Sequence, residues 1–172
     1  MKTWIALLRG INVGGKHIVP MKELIKLLQS AGFEGVKTYI QSGNVVLRSR
    51  QKPAEEISQL IDKRFGFRPS VFILSEAELK TAAANNPYKT DLGKTVHFFF
   101  CDKVPEDVDY KFLDTLRAAS EAYKLVDKVF YLHAPDGIGR SKLVEKMGRA
   151  FPSVDMTARN LNTINKLLEM VH

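Results

Sequence analysis

The sequence predicts an α+β protein with a ferredoxin-like (split β-α-β) N-terminal half and a second, smaller α+β half. Three observations predict it. Residues 3–74 alternate short β-rich apolar runs with amphipathic helical stretches, in the order β-α-β-β-α-β. The two middle β-runs are separated by Ser42-Gly43-Asn44, which is turn chemistry, so they form a hairpin. A hairpin excludes an all-parallel sheet for this half. Finally, 172 residues at 45% hydrophobic and 26% charged suit one domain or two small ones, and exclude a disordered tail or a collagen.

Thr3 to Leu8 is a short apolar run and reads as a buried strand, ended by Arg9-Gly10-Ile11-Asn12-Val13-Gly14-Gly15-Lys16. Pro20 suits the first turn of a helix, where its missing N–H would be unbonded anyway. Met21, Leu24, Ile25, Leu27 and Leu28 then recur near a 3.6 period, and Gly32 stops the helix. Val36–Ile40 and Val45–Leu47 are the hairpin strands. Pro53 opens a second helix with Ile57, Leu60, Ile61 and Phe65 on one face, and Ser70–Leu74 is the next strand.

The second half begins with a helix over Ser75–Ala84, with Ser75 as cap and Glu78 at the capping-box position. Asn85-Asn86-Pro87 breaks it. Thr95–Cys101 is a strongly apolar strand, and Asp107–Ala119 has the spacing of a helix. Tyr123–Val126 and Lys128–His133 predict a second hairpin. A polar loop over 134–139 leads into a helix at 140–149, and the last helix is expected from about Thr157 to Val171. A boundary near residue 74 would give domains 1–74 and 75–172. No internal repeat is evident.

The net charge of +7 is unevenly spread. Residues 1–70 hold 12 Lys/Arg and 5 Asp/Glu, residues 71–139 hold 8 and 11, and residues 140–172 hold 6 and 3. Basic first and last segments therefore flank an acidic middle, a pattern that points to an anionic partner. No apolar run is long enough for a membrane span, and the N-terminus lacks the pattern of a signal peptide. The single cysteine, Cys101, cannot form an internal disulfide, so a cytoplasmic location is expected. Cys101 ends an apolar strand and reads as a buried residue rather than a nucleophile.

Four polar runs are candidates for chemistry. Gly10 to Lys16 fits the opening of a phosphate-binding loop, G-x-x-x-x-G-K. The following residue is His17 rather than Ser or Thr, however, and the helix is delayed to Pro20, which argues against a nucleotide triphosphatase. A looser anion cradle of Arg9, Asn12, Gly14, Gly15 and Lys16 remains open, as does a wide turn with Lys16 merely solvated. Gln41 and Ser42, with Asn44 beside them, form the second candidate: Gln41 and Ser42 carry more donors and acceptors than a turn requires, although Gly43-Asn44 is by itself ordinary hairpin chemistry. Arg140, Ser141 and Lys142 open a helix, where two cations oppose the macrodipole and an anion would relieve the conflict. Arg159, Asn162, Thr163 and Lys166 would share one face of the last helix, with Asn160 beside them; that face could sit on a phosphate backbone or be simply the wet side of an amphipathic helix.

The histidines lack metal-ligand spacing, so no metal is expected, and no cofactor either. No G-x-S-x-G nucleophile elbow occurs. Glu106, Asp107 and Asp109 read as first-turn helix residues rather than a catalytic pair.

The runs Leu8–Lys16, Thr38–Val46, Gly137–Leu143 and Thr157–Asn160 together resemble the bacterial family catalogued as domain of unknown function 1697. One departure is Leu161, where similar sequences often carry Trp. The resemblance implies a two-part α+β fold, the first part ferredoxin-like, and a cytoplasmic protein. It implies no activity. From the residues, the leading expectation is binding of a phosphate-bearing ligand, with nucleic acid first. An enzyme acting on an anionic substrate and a non-catalytic partner-binding module are the alternatives.

Overall fold

The computed structural model describes residues 1–172. The chain divides into two compact units, residues 1–81 with 165–172, and residues 82–164. No helix is long and apolar enough to cross a membrane.

The first unit runs β1 (Lys2–Arg9), α1 (Met21–Ser30), β2 (Glu34–Tyr39), β3 (Asn44–Ser49), α2 (Ala54–Phe65) and β4 (Ser70–Ser75), and α3 (Glu76–Ala84) follows. Its sheet has the order β2-β3-β1-β4. Each neighbouring pair is antiparallel. Strand periodicity sends Ala6, Leu8, Val45, Leu47 and Ile73 to the face that packs on Leu24 and Leu28 of α1 and Ile57 and Ile61 of α2. Trp4 joins this cluster, and its indole Nε1 donates to the Ser49 carbonyl at 3.3 Å. The opposite face, with Ile5, Leu7 and Val46, is buried as well. The capping box expected at Ser75 is present. The Glu78 amide donates to Ser75 Oγ at 3.1 Å and the Ser75 amide to Glu78 Oε1 at 3.3 Å.

The second unit contains a 3-10 turn (Gly93–Thr95), β5 (Val96–Cys101), α4 (Tyr110–Leu116), β6 (Ala122–Val126), β7 (Val129–His133), α5 (Lys142–Lys146), a 3-10 turn (Met147–Ala150) and β8 (Met156–Asn160). Then α6 (Leu161–Met170) begins. The sheet order is β6-β7-β5-β8, antiparallel throughout. This repeats the first unit element by element. Trp4 pairs with Ser75 as His97 pairs with Asn160, and both partners cap the helix that follows. The sequence shows no trace of this repeat, because equivalent core positions hold different residues: Ala6 matches Phe99 and Val45 matches Phe130.

The structure corrects three expected helices. Residues 157–160 form the end of β8 instead of the start of the last helix. They pair with β5 in alternating register, and the helix begins at Leu161, capped by Asn160. The helix expected at 107–119 shrinks to Tyr110–Leu116, because Asp109 caps it by accepting from the Phe112 amide at 3.0 Å. The helix expected at 140–149 is a five-residue α5 followed by a 3-10 turn.

His97 is buried on the helix-covered face of β5, beside Phe99, and its Nε2 has no hydrogen-bond partner. Burial lowers its pKa below the ordinary histidine value, and a hydrogen bond to the Lys94 backbone opposes that shift. The unfolded chain therefore binds a proton at a pH where the folded chain does not. Stability is present in full above the ordinary value near ~6.5 and falls as the pH drops through it. Urea unfolding of the wild type from pH 7.5 to pH 5 should show this loss, and His97→Phe should flatten it; equal slopes for the two proteins refute the assignment.

Candidate functional site

Strand register puts three loops of the first unit at one end of its sheet. Leu7 pairs with Asn44 and Arg9 with Ser70, so the loops 10–20, 40–43 and 66–69 lie together. The first of these is a miniature hairpin. The Lys16 amide donates to the Val13 carbonyl and the Asn12 amide to the His17 carbonyl, both at 3.0 Å. Gly14 and Gly15 between them have φ of 58° and 73°, the left-handed values that a primed two-residue turn needs at both centres. This geometry agrees with the sequence features that argue against a nucleotide triphosphatase: the Lys16 amide is spent inside the turn, and α1 starts only at Met21.

Asn12 holds the hairpin in place. Its Nδ2 donates to the Val19 carbonyl at 3.0 Å and to the Gln41 carbonyl at 2.8 Å, while its Oδ1 accepts from the Val19 amide at 2.7 Å. His17 adds a second anchor. Its ring stacks on Phe67 at 4.2 Å, and its Nδ1 donates to the Gly10 carbonyl at 3.1 Å.

The 40–43 turn is equally constrained. Asn44 is fully buried, and its Nδ2 donates to the Tyr39 carbonyl at 3.0 Å and to Ser42 Oγ at 3.1 Å. Gly43 has φ of 89°, and a Cβ there would sit 2.8 Å from both Leu8 Cβ and Ile11 Cδ1. Gln41, Ser42, Arg9 and Lys16 are exposed around these anchors. No Asp or Glu occurs in residues 1–22 or 35–54, so the local field is positive. By unit, residues 1–81 with 165–172 hold 14 Lys/Arg against 8 Asp/Glu, a net +6, and residues 82–164 hold 12 against 11, a net +1.

The remaining expected site residues fall in the second unit. Arg140 and Lys142 are exposed, and the Ser141 Oγ caps α5 by accepting from the Val144 amide at 3.2 Å. Because α5 has only five residues, its dipole is small and the conflict with the two cations is correspondingly weak. Arg159 lies on β8, 7% exposed, and not on a helix face with Asn162, Thr163 and Lys166. Its Nη1 donates to Thr157 Oγ1 at 2.9 Å and to the Ala158 carbonyl at 2.8 Å. Burial pulls its pKa down to about 10, which still leaves it charged at neutral pH. Asn160 Oδ1 is committed to the Thr163 amide at 3.0 Å. Cys101 is buried, and burial pushes its thiol up to about 12, far from a reactive thiolate. No group of His, Cys, Asp and Glu is arranged to hold a metal.

The cationic end also exposes three aliphatic residues that its polar motifs do not announce. Val13, Ile18 and Ile40 are 64%, 55% and 51% exposed. The signal available was Ile40 itself, a β-branched residue where turn chemistry favours Asn, Asp or Gly.

These features describe a two-unit α+β protein with anchored, cationic loops at one end of its first sheet. The model of the family described as Protein of unknown function (DUF1697) matches residues 1–131, and the chain belongs to that family. Among solved structures it is similar to the conserved bacterial protein SP0830 from Streptococcus pneumoniae, with 25% identity, 99% of each chain covered and a TM-score of 0.72. No curated relative matches the chain.

Asn12 ties two loops together from a left-handed position, φ 53°. Asn12→Ala removes its three side-chain hydrogen bonds and adds backbone strain, and should lower stability by about 2–3 kcal/mol in urea unfolding. Asn12→Gly relieves the strain and should recover part of that loss. A wild-type midpoint for Asn12→Ala contradicts the clamp.

Proposed function

We propose that this protein binds a phosphate-bearing ligand, foremost the backbone of a nucleic acid, through the loop end of its first unit. The observation that supports it best is the anchored loop pair carrying Arg9, Lys16, Gln41 and Ser42 in a stretch without acidic residues. Rigid loops lose little entropy on binding, so exposed cations held this way attract phosphate efficiently. Both central strands of the first sheet bury their side chains on both faces. Stacking of bases on an open sheet face, the mode of many ferredoxin-like RNA binders, is therefore not the mode proposed. Backbone contacts of this kind depend on salt rather than on sequence.

The alternative enzyme reading clamps an anionic substrate with Arg9, Lys16, Arg140 and Arg159 and positions it with Gln41 or Asn44. Of these, Arg159 and Asn44 are buried and bonded within the protein, which favours surface binding over that clamp.

A fluorescence-anisotropy titration with a labelled oligonucleotide at two salt concentrations tests the proposal. Affinity should fall steeply with salt. Lys16→Ala should weaken binding to all sequences alike and reduce the log–log salt slope by about one. Absence of binding at low salt, or affinity indifferent to salt, sinks it.

A further inference from the structure

We infer that the same loop end carries an apolar surface for unstacked nucleobases, formed by Val13, Ile18 and Ile40 with Gln41 beside them. The preferred ligand is then single-stranded nucleic acid. This inference rests on the phosphate-binding reading and names the class of ligand for it.

The first observation is clustering. The first unit exposes four large hydrophobic residues, and three of them, Val13, Ile18 and Ile40, lie on the two loops that Asn12 joins; the other is Met1. Lone exposed aliphatics are ordinary, but three around one anchored turn need an explanation.

The second observation is the backbone at Ile40. Its φ is 51°, a left-handed value that a β-branched side chain adopts only under strain. The repeat supplies an internal control. Tyr39 and Val126 occupy equivalent ends of β2 and β6, so the residue after each begins the hairpin turn. In the second unit that residue is Asp127, with φ of 52°, and two residues close the turn. The first unit keeps the same conformation, replaces the tolerant aspartate with isoleucine, and lengthens the turn to residues 40–43. The hairpin itself does not require isoleucine there, and about half of the side chain faces solvent.

The third observation is charge and polarity. The aliphatics stand among cations, with no acidic residue in either loop segment, which suits an anionic ligand that also has apolar faces. Gln41 follows Ile40 directly and is exposed; its amide offers both donors and an acceptor. A nucleobase has an apolar face for Ile40 and Val13 and a hydrogen-bonding edge for Gln41, next to a phosphate for Lys16. In a duplex those faces are stacked away. A lipid surface would match the aliphatics and cations, but it would drag the Gln41 amide toward hydrocarbon, where nothing bonds it.

The test uses the full-length protein in anisotropy titrations against three probes of equal length: an intact single strand, an abasic single strand and a duplex. The intact strand should bind about fivefold more tightly than the abasic one. Ile40→Asn suits the left-handed backbone, so it should melt at or above the wild-type temperature. It should also erase the preference for intact over abasic strand while leaving duplex affinity unchanged. Equal, salt-dependent affinity for intact and abasic strands overturns the base contact and leaves the phosphate reading standing. An Ile40→Asn variant that melts lower and keeps the preference also overturns it. Binding to none of the probes overturns both, as does co-sedimentation with phosphatidylglycerol vesicles in place of oligonucleotide binding.

Discussion

Gly43 is where the first unit leaves no room. Its α-carbon faces Leu8 and Ile11 so closely that any side chain would collide with both. The approach lets the Leu8 amide donate to the Gly43 carbonyl at 2.9 Å, and so seats the 40–43 turn on the end of β1. Once the turn is seated, Asn44 is buried and must bond inward, and the Gln41 carbonyl comes within reach of Asn12. Asn12 in turn fixes the 12–17 hairpin. The arrangement of exposed groups at this end thus follows from one missing methyl group. The polar residues that hold it are Asn12 and Asn44, whose side chains bond within the loops.

The two units reach the same topology with different materials. In the first, α1 and α2 have 10 and 12 residues and cover small or aliphatic strand residues such as Ala6 and Val45. In the second, α4 and α5 have only 7 and 5 residues, and aromatic rings fill the corresponding space at Phe99 and Phe130. Interiors pack to a near-constant density, and the exchange runs both ways between equivalent positions: Phe99 and Phe130 stand for Ala6 and Val45, while Ala158 stands for Ile73 and His97 for Trp4. Phe130 makes edge-on contacts to Phe99 at 6.0 Å and Phe151 at 5.1 Å. An exchange of core volume of this size removes the residue-level likeness while strand order and register persist.

Much of the fold was legible in the sequence, because the signals were local. Period-2 and period-3.6 patterns mark the β-α-β-β-α-β order of residues 3–74, and the Ser75/Glu78 spacing marks the capping box. The failures came where tertiary pairing overrode local pattern. Thr157-Ala158-Arg159 reads as the start of a helix because Leu161, Ile164 and Leu168 continue the period; pairing with β5 makes it a strand. That change removed Arg159 from the polar face assigned to it. At the candidate site, the polar residue types are legible but the bonds among them are only partly so. The Asn44 bonds are local turn contacts, whereas the bond from Asn12 to the Gln41 carbonyl spans 29 positions and leaves no mark in a sequence. The left-handed φ of Ile40 is likewise invisible in composition.

Trp4 is the only tryptophan in the chain, and it packs in the helix-covered core of the first unit, tied to Ser49. Its emission is therefore a spectroscopic reporter confined to that unit. The second unit holds tyrosines but no tryptophan, and is silent under excitation selective for tryptophan. Following tryptophan fluorescence alongside far-ultraviolet circular dichroism thus separates the melting of one repeat from that of the whole chain. The duplicated architecture comes with a built-in optical label on one copy.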